Sequence, residues 1–386
     1  MSKSAYIVFG RPDITDAEIA EVVDSMQSRW LGTGPKVKAF EEGFATYLSA
    51  SPAQVAAVNS CSAALHLSMI ASDINSGDEV ITTAMTFCAT VNAIIHAGGT
   101  PVLADIDPVT RNIDPVEIAA RITKKTKAII PVHYSGLPCD MTAITDIAEQ
   151  YKLKVIEDCA HAIETRYQGQ PAGSFGDFAC YSFYVTKNMT TGEGGMVMAK
   201  SEQAIARIKT LALHGMSADA WTRFSDKGYR HYQVVEPGFK YNMMDLQAAI
   251  GIHQLERLEK NWQFRKELFQ TYQSEFANLP ADLPTDAAEG DRSSYHLYPL
   301  CIHPDACRFN RDQLLGEFHQ AGIGTGVHYQ SIAAHPYYQK AFGWVPEDYP
   351  MAKFYGDNTL SLPFGPGLQE DQIDKIITTT KKLFEH

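Results

Sequence analysis

The sequence predicts an α/β protein, with a mostly parallel sheet in a large domain and a smaller C-terminal α+β domain. Three observations carry this: short apolar runs alternate with helical patterns through the first half, the pattern changes after Tyr181, and a long helical stripe follows. The strand-like runs are QVAAVNS, DEVITTAMT, TPVLADID, TKAIIPVH and KVIEDCA. Between them lie AALHLSMIASDI, ATVNAIIHAG, DPVEIAARI and DMTAITDIAEQYK, with helical spacing of apolar residues. Strands alternating with helices pair in parallel, and near-continuous apolar strands belong to a sheet covered on both faces. FACYSFYV and GGMVMAK read as two further strands. A long helix is expected from about Met243, its stripe formed by Leu255, Leu258, Trp262, Phe269, Tyr272 and Phe276. Residues 1–250 are therefore expected to form the large domain, and 251–386 the linking helix and small domain, with the N-terminal segment free to pack on the latter.

The length of 386 residues suits two domains better than one, and 45% hydrophobic content supplies a core. A formal charge of −12 argues against nucleic acid or an anionic membrane as main partner. An anionic small substrate is still compatible with a local basic pocket. No secretory signal or spanning run is legible, and seven scattered cysteines form no Cys-x-x-Cys pair. The expected setting is reducing and cytoplasmic.

Ligands of open α/β sheets sit beyond the carboxyl ends of the strands, so the residues there carry the functional signal. Ser60-Cys61-Ser62-Ala63 opens a helical pattern. Free N–H groups at such a start bind anions, although for this segment taken alone Ser60 or Ser62 acting as a simple helix cap is the favoured explanation. Asp158 ends the apolar run VIEDCAHA, where a carboxylate needs a cation or N–H partner. A protonated cofactor ring nitrogen is one such partner, and an N-cap or ion pair is another. His161, three residues on, is placed either to contact the same ligand or to lie against the core. Lys187 stands between two strand-like runs, among small and hydroxylated neighbours in YSFYVTKNMTTGEGG. Taken alone it reads as a surface-loop lysine, whereas packing would depress its pKa and turn it into an amine nucleophile. Ser182 is a candidate phosphate contact, and Gly192, Gly194 and Gly195 allow the backbone to fold close to a ligand. One cofactor matches an anion site, a buried aspartate and a nucleophilic lysine together: pyridoxal phosphate. A Rossmann dehydrogenase is disfavoured because NSCSAALH lacks the Gly-x-Gly-x-x-Gly turn, and no clustered metal-ligand spacing occurs among the thirteen histidines.

Beyond these residues, the chain resembles the DegT/DnrJ/EryC1/StrS family of nucleotide-sugar aminotransferases. The likeness runs through WLGTGPKVKAFEE, NSCSAALHLSM, TAMTFCATVNAI, PVHYSGLPCDM, IEDCAHA, SFYVTKNMTTGEGG, GFKYNMMDLQAAIG, GIGTGVHY and LSLP. It implies the type I aspartate aminotransferase fold. By position, Lys187 matches the lysine of the internal aldimine and Asp158 the partner of the pyridine nitrogen. His161 takes the place of a glutamine near the ring oxygen, and Ser62, Ala63 and Ser182 match phosphate contacts. Phe87 matches the aromatic that stacks on the ring, a role compatible with plain core packing. GFKYNMMD matches a segment reaching the phosphate of a neighbouring subunit's cofactor, which implies a homodimer. Lys240 and Asn242 stand where many members read asparagine and arginine, and of the two Asn242 is the favoured phosphate contact. Cys61 stands where a glycine is more usual.

The resemblance also implies ping-pong transfer from L-glutamate, through 2-oxoglutarate release and pyridoxamine phosphate, to a nucleotide-linked 4-keto-6-deoxy sugar. Such amino sugars enter lipopolysaccharide or other glycans. Lysine rather than histidine at 187 sets the chain apart from the dehydratases among its relatives, and TTGEGG resembles members that aminate C4 rather than C3. Thr33, Glu193, His328 and Tyr329 match positions near the sugar pocket, although GIGTGVHY also reads as a domain-joining turn. A non-catalytic regulator on the same fold is the competing class; its expected mark is loss of the lysine or the aspartate, and both are present.

Overall fold

Short, almost wholly apolar strands set the layout. The structure, a computed structural model, describes residues 6–217 and 232–384. In chain order the first strands are β1 (Val55–Val58), β2 (Glu79–Thr83), β3 (Thr100–Ala104), β4 (Thr126–Ile130) and β5 (Lys154–Asp158). A small hairpin, β6 (Arg166–Tyr167) and β7 (Gln170–Pro171), precedes β8 (Phe178–Ser182) and β9 (Gly195–Ala199). The main sheet has seven strands in the order β1-β9-β8-β5-β4-β2-β3. Its interior pairs are parallel, whereas β9 runs antiparallel to both β1 and β8. That reversal is the physical content of the change in pattern after Tyr181.

Every residue of β1, β8 and β9 is buried, as a sheet covered on both faces requires. Val55, Ala57, Tyr181 and Met196 pack with Phe40 and Phe44, whereas Ala56, Val58, Cys180 and Val197 pack with Leu65 and Leu67. The helices on these faces include α1 (Asp16–Ser28), α2 (Pro35–Tyr47) and α3 (Cys61–Ala71). Thr15 and Glu18 form a capping box at the start of α1. Further along lie α4 (Cys88–His96), α5 (Pro115–Ala120), α6 (Met141–Tyr151) and α7 (Glu202–Ala212).

The expected linking helix is two helices. The first, α8 (Asp245–Glu256), begins two residues after Met243, and the second, α9 (Leu258–Phe276), follows a break at Arg257. Asp245 at the start of α8 is fully buried and accepts N–H bonds from Gly34, Lys36 and Val37, so it caps α2. Arg257 turns its guanidinium back to Glu18 at 2.5 Å. The sequence stripe therefore spans two axes joined at one residue.

A second, three-stranded antiparallel sheet consists of β10 (Ala281–Asp282), β11 (Tyr298–Ile302) and β12 (Thr359–Leu362). Its core takes Phe269, Tyr272 and Phe276 from α9, Phe384 from the C-terminal helix, and Ile7 from the N-terminal segment. Ile7 bridges to Ile323. No helix among the described residues is long and apolar enough to cross a membrane.

Arg265 on α9 ties the two sheets together. It is buried, pairs with the buried carboxylate of Glu164, and donates from Nε to the Ser294 carbonyl at 3.2 Å. Removing one member of such a pair strands the other charge away from water. Arg265→Ala is expected to cost about 3–5 kcal/mol in denaturant unfolding, whereas the double variant Glu164→Gln/Arg265→Met recovers most of that loss. Equal losses in the single and double variants would contradict this assignment.

Candidate active site

The carboxyl ends of β5 and β8 and the N-terminus of α3 surround a cavity of about 490 Å³, within the range of a small-molecule site. Ser60 caps α3: its hydroxyl accepts the Ala63 N–H at 3.1 Å. Ser60 is thus a helix cap. Ser62 is exposed on the first turn and lines the cavity, where the first-turn N–H groups have no acceptor within the helix. Ala63 is not brought to the cavity, because its N–H is taken by Ser60 and its side chain is buried. The close fit behind this turn requires Gly195, where a Cβ would lie 2.6 Å from the Ser60 carbonyl carbon.

Asp158 closes β5 and is 4% exposed. One oxygen accepts from the Thr90 hydroxyl at 2.8 Å, and the other from the Ala160 N–H at 3.1 Å. Burial pushes its carboxyl above the usual range, while these donors and the Lys187 charge pull it back. Both oxygens accept neutral donors and neither has a bonded cation among the described residues. Lys187 follows β8 in a turn, its N–H bonded to the Tyr184 carbonyl at 2.9 Å. Burial lowers its amine to about 8, against the opposing effects of Cys61 and Asp158. The amine is thus partly neutral near physiological pH.

His161 lines the cavity, with its Nδ1 accepting the Ser135 N–H at 3.3 Å. Its proton therefore resides on Nε2, which lies 2.9 Å from the Tyr329 hydroxyl oxygen. Tyr329 accepts there, and its own O–H meets no acceptor among the described residues. Phe87 is 58% exposed, so plain core packing is ruled out; its ring lies 6.1 Å from that of Tyr329 on the cavity wall. Ser182, Glu193 and His328 line the same space. The GIGTGVHY segment is thus more than a joining turn: it delivers His328 and Tyr329, and Gly326 bridges to Ser361.

Two expected site residues lie elsewhere. Thr33 and Asn242 line a separate cavity of about 220 Å³, where the Asn242 amide donates to the Thr33 hydroxyl at 2.7 Å. Asn242 Oδ1 is buried there with no partner among the described residues, and Lys240 is exposed. The structure also brings in residues the sequence reading left out. Thr90 bonds Asp158, and His296 lines the cavity with its ring 4.3 Å from that of His161. The signal for Thr90 was weak because a threonine within a helix has no local mark. His296 sits in the strand-like run YHLYPL, where a histidine interrupting apolar residues was the available cue. Among the described residues His133, Glu157 and Cys159 converge closely enough to hold a metal ion. Their polar atoms are already engaged: Glu157 accepts from Gly173, Phe175 and Gly176 N–H groups, and His133 bridges Cys139 and Glu157.

The donors fit pyridoxal phosphate: first-turn N–H groups and Ser182 for an anion, Asp158 for a ring N–H, and an amine with a lowered pKa. Fold and cavity define a pyridoxal-phosphate-dependent aminotransferase of the type I fold. The model of the DegT/DnrJ/EryC1/StrS aminotransferase family matches residues 12–381, and the chain belongs to that family. It is 44% identical over 382 residues to the spore coat polysaccharide biosynthesis protein SpsC of Bacillus subtilis, covering 99% of this chain and 98% of the relative. The pyridoxamine-phosphate form of a putative sugar aminotransferase, Spr1654 of Streptococcus pneumoniae, superposes with a TM-score of 0.92 at 35% identity, over 98% of each chain. PseC of Helicobacter pylori, an aminotransferase involved in pseudoaminic acid biosynthesis, gives 0.89 at 27% identity over 98% of this chain and 99% of its own.

In the protein freed of cofactor, the acylation rate of Lys187 followed by peptide mass spectrometry is expected to reach half its maximum near pH 8. Asp158→Asn moves that midpoint lower, because the carboxylate stabilises the ammonium form. A midpoint near that of ordinary surface lysines, or an upward shift in the variant, would contradict the burial argument.

Proposed function

We propose that the chain transfers the amino group of L-glutamate to C4 of a nucleotide-linked 4-keto-6-deoxy sugar, releasing 2-oxoglutarate in the first half of a ping-pong cycle. The observation that carries this reading is that the TTGEGG turn shares one cavity wall with Lys187, through Glu193 and Gly194. Gly192 takes φ +79°, and the Glu193 carbonyl accepts from Thr191 and from Gln247, both at 2.7 Å. The turn is held by its backbone, and the exposed Glu193 side chain is left available to a sugar hydroxyl.

Bound pyridoxal phosphate supplies an electrophilic carbon and an electron sink. Lys187 anchors it and, as a partly neutral amine, takes the proton from the substrate carbon and returns it. Asp158 would accept the ring N–H of the bound cofactor and favour a protonated ring nitrogen. The N–H groups at the start of α3, Ser62 and Ser182 would hold its phosphate, and Phe87 would lie against the ring. His161 orients Tyr329, whose free O–H is donated into the cavity. His328 has a pKa lowered to about 3 by burial and by the Lys187 charge, so it meets the sugar as a neutral ring.

A homodimer completes this reading. On α1 the exposed Ile19, Val23 and Met26 form one stripe at helical spacing, continued by Trp30. Thr33 and Asn242 line a cavity apart from that of Lys187, which accords with this segment serving a neighbouring copy.

Purified with its cofactor, the protein is expected to be yellow, and borohydride should fix the cofactor to Lys187. Lys187→Ala is expected to lower turnover by at least about 10³-fold. Carbon NMR of the product should show the new amine on C4; an amine on C3 would overturn the regiochemistry while sparing the cofactor chemistry. The paired change Ile19→Asp/Met26→Asp is expected to convert a dimer into a monomer by sedimentation, and a wild type already monomeric at micromolar concentration would refute the shared-site reading.

A further inference from the structure

His296 has a protonation pattern that its neighbours dictate. The Ser294 carbonyl can only accept, and the Asn188 side-chain nitrogen lies 3.1 Å from it. The same nitrogen is 2.9 Å from the Glu164 carboxylate, which Arg265 pairs from the other side. The Asn188 amide is thereby oriented, whatever the charge on Glu164. Its oxygen then faces Nδ1 of His296 at 2.8 Å, and two acceptors cannot share a hydrogen bond. Nδ1 must carry the proton. The other ring nitrogen, Nε2, is left bare, and no hydrogen-bond partner for it exists among the described residues. The ring lines the cavity, in the opposite tautomer to His161 beside it. Burial, together with the charges of Lys187, His328 and Arg265, disfavours a second proton.

We propose that His296, held by Asn188 as the Nδ1–H tautomer, presents its bare Nε2 to the cavity as the hydrogen-bond acceptor for a hydroxyl of the sugar substrate. A lone pair repels the carboxylates of an amino-acid donor, so the contact discriminates between the two substrates and selects the one rich in hydroxyls. Asn188 is the positioning residue: it follows Lys187 directly, and Glu164 and Arg265 fix it from behind. The substrate half of this inference rests on the sugar-aminotransferase reading, whereas the tautomer half does not.

The test uses the holoenzyme labelled with ¹⁵N-histidine, His296 being assigned by its disappearance in His296→Gln. Proton–nitrogen correlation spectra are expected to show His296 protonated at Nδ1 and bare at Nε2, without titration through the range in which a free histidine titrates. Asn188→Asp, which replaces the amide by a carboxylate facing the ring and Glu164, is expected to shift His296 towards the doubly protonated form. In kinetics, His296→Gln should lower kcat/KM for the sugar half-reaction at least five-fold more than for the amino-donor half-reaction, the latter read from the cofactor's spectrum. A proton on Nε2 in the wild type, or equal losses in both half-reactions, overturns the proposal. Failure of the sugar reading is distinguishable, because it appears in the wild type as no turnover of nucleotide-linked ketosugars while the tautomer spectrum still decides the role of Asn188.

Discussion

A carboxylate taken out of water at the end of a buried strand is the constraint on which this site depends. Asp158 is 4% exposed, and its oxygens are satisfied by a threonine hydroxyl and a backbone N–H. Neutral donors offset part of the desolvation cost, but a charge in such a place is fully compensated only by another charge. Lys187 acts on it electrostatically without forming an ion pair. The surrounding sheet keeps this unstable pair in position. β5 delivers the aspartate, β8 the lysine turn, and antiparallel β9 returns to β1 so that Gly195 can press against the start of α3.

Behind the lysine stands a second buried charge arrangement that is, by contrast, closed. Arg265 pairs with Glu164, and both reach the Ser294 segment, Arg265 directly and Glu164 through Asn188. Such a network contributes little net stability compared with apolar packing, but it fixes geometry. Here it links α9 and the strand that follows to the residue next to Lys187. The two halves of the chain are thereby registered at the cavity, where an error of an ångström would matter most.

What was legible in the sequence follows from the range of the physics. Strand positions and the end-of-strand aspartate depend on local polarity, so VIEDCAHA already marked Asp158. The break at Arg257 was hidden, because α8 and α9 share an apolar stripe, and the turn is made by contacts to Glu18 and Asp13 over two hundred residues away. Phe87 carries no local sign of exposure in MTFCAT, so the residues alone left core packing open beside the ring-stacking role that the family pattern implies; its 58% exposure beside the cavity appears only in the folded chain. Thr33 and Asn242 were expected near the site from a family pattern, yet in the folded chain they line a cavity apart from that of Lys187, a separation that no local feature of WLGTGP or GFKYNMMD announces. His296 and Asn188 were silent for the same reason as Arg257. Their meaning lies in a tautomer set by four segments that meet only after folding.

The cavity thus gathers one lysine, three histidines and the carboxylates of Asp158 and Glu193, and in water all three imidazoles would be competent bases near neutral pH. Burial and the Lys187 charge lower the pKa of His161, His296 and His328 alike. Each is reduced to a hydrogen-bonding ring: His161 a donor to Tyr329, His296 an acceptor, and His328 a partner of the Ser361 hydroxyl at 2.9 Å. Lys187 alone among these four has a pKa moved towards neutrality rather than away from it. In the amino transfer proposed above, proton movement would fall to the amine, because burial keeps the three imidazoles from competing for the proton.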